Sequence, residues 1–164
     1  MAKTDDIQDF ADMSAALTGF QSSFLKPALD RTNLAETYYK FATKQTEGKQ
    51  ATVQTLLTTY RAIQTQPPQQ IANTLLEVTN PFPSPQALLA QSIVKMWYSA
   101  SWYEPGSVAM SQVVSSLAYT NGLVWQVMQS HPMGYSPFSF GYWNTKPGPL
   151  SQFGVNTGNG GGGE

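Results

Sequence analysis

The amino-acid sequence predicts an all-α protein: a compact, irregular bundle of about five or six helices followed by an extended, aromatic, Gly/Pro-rich C-terminal arm. Three observations carry this. Apolar residues recur at spacings of 3 and 4 up to Tyr119. Helix start and stop signals separate those stretches. Beyond Tyr119 the period fails, while Gly, Pro and large aromatics follow at short intervals. The organisation expected is a helical domain over 1–119, an arm over 120–157 packed on that domain or on a partner, and a Gly-rich tail over 158–164.

The first helix is read from Asp5 to Gly19. Ile7, Phe10, Met13 or Ser14, and Leu17 form its apolar stripe, Asp5, Asp6 and Asp9 suit its positive N-terminal dipole, and Gly19 stops it. Asp5, Asp9 and Asp12 share a face, which reads as a solvated acidic face, since a hard cation needs oxygens converging from several directions. A second helix is expected from Pro27, a good first-turn residue, to about Gly48, with Leu29, Leu34, Tyr38 and Phe41 on its apolar side. A third, about Gln50 to Gln64, carries Val53, Leu56, Leu57, Tyr60 and Ile63 and is broken by Pro67-Pro68. A short fourth holds Ile71, Leu75, Leu76 and Val78 and ends at Pro81-Phe82-Pro83. Ser84-Pro85 is an N-cap and first-turn pair opening a fifth, striped by Leu88, Leu89, Ile93 and Met96-Trp97. A sixth is expected over Ser107–Tyr119 with Val108, Val113, Val114 and Leu117. The core should include Phe10, Leu17, Trp97, Tyr98 and Leu117.

Composition narrows the function. The chain has 164 residues, one domain's worth. Charged residues make up 12%, about half the usual ~25%. A net charge of -1 leaves no basic excess for phosphates, so nucleic acid is not the expected partner. Cysteine is absent, which excludes disulfides, thiolate nucleophiles and thiolate-bound metals. No apolar run reaches the ~18 residues of a membrane span, and the polar opening Met1–Asp6 has neither an apolar h-region nor a twin arginine. Of the 19 charged side chains, 13 lie in the first 49 residues, whereas all four Trp come late, at Trp97, Trp102, Trp125 and Trp143. The C-terminal part is therefore built for contact.

Catalytic patterns are missing. The single histidine, His131, has no activated nucleophile or orienting acid in a recognisable pattern, and no G-x-S-x-G elbow occurs. The glycines from Gly158 to Gly163 lack the following helix that a phosphate loop needs. Asp9 and Asp12 at a helix start do not make the cleft that separates two carboxyl pKa values. No cofactor or metal site is expected in this chain. Trp97-Tyr98 and Trp102-Tyr103 read either as helix core or as an aromatic platform, the latter making the chain a stand-alone carbohydrate- or ligand-binding module with Glu104, Asn121 and Gln126 nearby.

Several blocks resemble a known family. Asp9-Phe10-Ala11-Asp12-Met13-Ser14-Ala15-Ala16-Leu17-Thr18-Gly19, then Ile93-Val94-Lys95-Met96-Trp97-Tyr98, then Met110, Val114, Leu117 and Ala118-Tyr119, and finally Pro132-x-Gly134-Tyr135 with Gly141-Tyr142-Trp143-x-x-Lys146-Pro147, stand in the order seen in the small subunits of bacterial membrane-bound FAD-dependent sorbitol, fructose and glucose dehydrogenases. The likeness runs from about residue 9 to 150; Trp97-Tyr98 and the Gly141-Tyr142-Trp143 block are its most specific parts. The stretch Ser101–Gly106 departs from it, as does the lack of a twin-arginine signal ahead of the first block. The resemblance implies a non-catalytic accessory subunit that binds, stabilises and helps to mature and export a flavoprotein large subunit of the glucose–methanol–choline type. FAD would sit in that partner, a multi-haem cytochrome c could complete the complex, and the location would be periplasmic, peripheral to the inner membrane, or cytoplasmic without export. On the residues themselves, Pro132, Tyr135, Tyr142, Trp143 and Pro147 are the expected partner contacts, because aromatics flanked by Gly and Pro present much apolar area with little freedom to lose.

Overall fold

The computed structural model describes residues 4–132. In chain order these form α1 (Thr4–Thr18), α2 (Ser22–Leu25), α3 (Leu34–Gln45), α4 (Val53–Ile63), α5 (Pro68–Leu76), α6 (Pro85–Ser99), a small hairpin of β1 (Ser101–Tyr103) and β2 (Met110–Val113), α7 (Ser116–Thr120) and α8 (Leu123–Val127). The architecture is all-α, with the two short strands as its minor sheet content.

Helix α1 is the axis of the bundle and packs against each of α2 to α6. Its 3–4 stripe puts Phe10, Met13, Ser14 and Leu17 in the core. Asp6 and Asp9 on its other side grip Arg61 of α4, with Arg61–carboxylate distances of 2.7 and 2.6 Å. The acidic face is thus tied to a neighbouring helix. Asp12 accepts from Gln8 and from the Ser22 hydroxyl, which fastens the start of α2. Helix α4 opens on a capping box: the Thr52 hydroxyl accepts from the Thr55 N–H, and Thr55 Oγ1 accepts from the Thr52 N–H. The paired prolines do not simply end α4: Pro67 is the N-cap and Pro68 the first residue of α5. Ser84 caps α6 as expected, its Oγ accepting from Ala87 N–H and donating to Glu77 Oε1 at 2.7 Å. The core centres on Trp97 of α6, which lies edge-on to Tyr38 (centroids 4.6 Å apart) and stacks on Phe10 at 6.5 Å.

Three expectations are corrected. The second helix starts at Leu34, not Pro27. Asp30 Oδ1 accepts from the Thr32 N–H, the Thr32 hydroxyl and the Asn33 N–H, and these local bonds compete with helix until Asn33 passes through left-handed geometry. Leu29 therefore stands in a loop, 91% exposed. The expected helix over Ser107–Tyr119 is instead a hairpin strand and the short α7. Glu104-Pro105-Gly106-Ser107 makes a tight turn, closed by the Ser107 N–H on the Glu104 carbonyl at 2.8 Å, with Gly106 at φ +82°. The strands pair antiparallel, Ser101 with Val113 and Trp102 with Gln112, before a bulge. Because α7 is capped by Ser115, it turns Ala118 inward and leaves Leu117 49% exposed, outside the core. Helical structure also continues beyond Tyr119, in α8, whose Leu123 is buried. Gly122 permits this: a Cβ there would lie 2.8 Å from the Tyr98 carbonyl oxygen.

Candidate partner-binding surface

The aromatic pairs of α6 and β1 divide by burial. Trp97 is 2% exposed and Trp102 is wholly buried. Trp102 packs edge-on to Phe41 and donates its indole N–H to Glu104 Oε1 at 3.1 Å. Neither ring is exposed enough to serve as an open stacking platform for a sugar. Tyr98 is half-buried, donates to the Thr18 carbonyl at 3.0 Å and so locks α6 to the end of α1; burial pushes its phenol up from the ordinary value. Tyr103 is half-buried beneath Lys95, whose Nζ lies 5.3 Å from the ring centre. Trp97 and Tyr98 are thus members of, or packed against, the core, together with Phe10 and Leu17.

Three of the large apolar side chains that the core does not take in lie together on the hairpin. Val108, in the loop between the strands, is 93% exposed, and Met110 and Val113 of β2 are exposed as well. Beside them Lys95, Tyr98, Ser99, Tyr103 and Val108 line an open depression of about 400 Å3. Its one cation is partly occupied, since Lys95 Nζ also donates to the Ser107 carbonyl at 3.1 Å. The hairpin is held in place from both sides. Lys49 Nζ pairs with Glu104 Oε2 at 2.6 Å, which holds the Glu104 carboxyl below its usual range, and the Val114 N–H donates to the Ala100 carbonyl at 2.9 Å. A fixed apolar surface costs little ordering on binding. Away from the hairpin, Phe82, 86% exposed, stands in the turn before α6, near the exposed Val78. Val78 falls outside α5 because Glu77, in left-handed geometry, ends that helix.

Of the expected partner contacts, Pro132 is half-exposed, its carbonyl accepting from His131 Nδ1 at 2.9 Å. Tyr135, Tyr142, Trp143 and Pro147 lie outside the described residues. Sequence reasoning missed the hairpin, although Pro105-Gly106 was its signal. It also placed Val108 on a buried helix face. Among the described residues no group of three or more His, Asp or Glu converges as a metal site, and no helix is long and apolar enough to cross a membrane. Set against family models, curated proteins and solved structures, the chain matches none of them.

Proposed function

We propose that this chain is a non-catalytic subunit that binds, stabilises and helps to mature and export the catalytic subunit of an FAD-dependent sugar or polyol dehydrogenase. The observation that carries the reading is the fixed hairpin with Val108, Met110 and Val113 exposed on a chain only 12% charged. Apolar side chains grouped on one fixed element are the kind of surface that a partner covers. The identity of the partner rests on the resemblance of the Phe10–Gly19, Ile93–Tyr98 and Gly141–Trp143 blocks to dehydrogenase small subunits. In this reading FAD and the sugar site belong to a large subunit of the glucose–methanol–choline type. A multi-haem cytochrome c can join the complex, which lies in the periplasm against the inner membrane.

Division of labour follows from the chemistry. Trp97, Tyr98, Phe10 and Leu17 build the scaffold, and Pro132, Tyr135, Tyr142, Trp143 and Pro147 are the further contacts proposed for the partner. The sugar-module reading is the weaker one, since Trp97 and Trp102 are buried. Capture of the tagged full-length chain from its native host tests the proposal. A co-purifying large chain that carries FAD, seen by flavin absorbance and by mass, is the expected result. A chain recovered alone, or with partners that hold no flavin, would overturn it.

A further inference from the structure

We propose that the groove between the α2–α3 loop, α6 and the α7–α8 segment binds a small apolar carboxylate. It encloses about 300 Å3, near the lower end for ligand sites and enough for a ligand of roughly ten non-hydrogen atoms. Leu25, Leu34, Trp97 and Leu123 supply a buried apolar lining, while Arg31 and Gln126 supply polar groups.

The donors decide the ligand. Arg31 makes no ion pair and no side-chain hydrogen bond among the described residues. Its neighbour Asp30 also lines the groove, but Asp30 Oδ1 is taken up by three hydrogen bonds within the loop. The Gln126 amide is likewise without a partner. Trp97, which lines the groove, carries an indole N–H that is buried with no acceptor among the described residues, a rare state for a donor that has left water. An anionic, acceptor-only group suits the unpaired Arg31 guanidinium and Gln126 amide of the groove wall, and a carboxylate does so with the planar geometry that Arg prefers. The apolar lining asks for a short hydrocarbon or aromatic body behind that carboxylate. None of the groove residues belongs to the hairpin surface, so this site stands independently of the proposed partner.

Titration of the 15N-labelled full chain with sodium octanoate, and separately with its neutral isostere octanamide, tests the site. The expected result is a saturable shift of the Trp97 indole cross-peak with octanoate and at least about tenfold weaker binding of octanamide. Arg31→Gln should bring octanoate down to the octanamide level without changing the melting temperature, since Arg31 is exposed and unpaired. No saturable shift up to about 10 mM octanoate would overturn the proposal, because a Kd above that range is no binding of consequence. Equal affinity for acid and amide, or an Arg31→Gln variant that binds octanoate as before, would overturn it equally.

Discussion

Replacing Trp97 by alanine should lower the melting temperature of the free chain by roughly 10–15 °C. Trp97 is 2% exposed, edge-on to Tyr38 and stacked on Phe10, so the substitution opens a cavity where α1, α3 and α6 meet. Truncations of this kind cost about 3–5 kcal/mol. One part of the loss is returned: the Trp97 N–H has no acceptor, and removing an unsatisfied buried donor restores about 1 kcal/mol. With an unfolding entropy of about 2.1 cal/mol/K per residue over a body of roughly 130 residues, each kcal/mol moves the midpoint by about 4 °C. Trp97→Phe keeps an aromatic ring against Tyr38 and loses the orphan donor, so its shift should stay below about 5 °C. Thermal melts of both variants by far-UV circular dichroism measure the difference. A Trp97→Ala shift under about 3 °C would refute the reasoning, because a ring that matters so little cannot be the centre of the packing.

Four further outcomes are expected. Val108→Asp should leave the melting temperature within a few degrees of the parent yet weaken assembly with the proposed flavoprotein partner by at least about tenfold, measured by titration calorimetry. Trp143→Ala should spare the helical spectrum and the melting of the free chain while weakening the complex by about thirtyfold, the equivalent of ~2 kcal/mol; unfolding of the free chain would make that residue part of the domain's own core. Ser84→Ala removes the cap of α6 and should cost about 1 kcal/mol, read from a urea melt. The Arg61 guanidinium, through its hydrogen bond to Asp6, holds that carboxyl below its ordinary value of 3.8 against the opposing effect of burial. The stability this pair contributes is complete above about pH 4 and is lost as pH falls through the depressed value; Arg61→Gln should lower stability at neutral pH and flatten that acid limb in denaturant melts.

Where local chemistry and tertiary packing agreed, the fold was legible. Ser84-Pro85 and Gly19 mark real helix ends, and the stripe Phe10, Met13, Leu17 does face the core. Where a side chain competed with the helix, the pattern misled: the Asp30 carboxylate holds the Thr32 and Asn33 N–H groups outside any helix, although Pro27 and Leu29 suit one. The hairpin was hidden for a different reason. Val108, Val113 and Leu117 mimic a helical stripe, but they are exposed, and the Pro105-Gly106 turn outranks an apolar count that no core satisfies. The ion pairs of Arg61 with Asp6 and Asp9 join residues more than 50 positions apart, and no spacing rule announces them. The same holds for the exposed apolar residues of the hairpin. Low charge and late aromatics do not say which side chains stay outside the core; that follows from how the hairpin is pinned by Lys49–Glu104.

Sedimentation of an equimolar mixture of this chain with an FAD-loaded dehydrogenase large subunit of the glucose–methanol–choline type, from the same host, tests the binding role most directly. The expected result is a single heavier boundary carrying the flavin absorbance, together with a raised melting temperature of the large subunit, since binding to the native form stabilises it by mass action. Two boundaries that sediment as the separate chains, with the flavoprotein's melting unchanged, would contradict it.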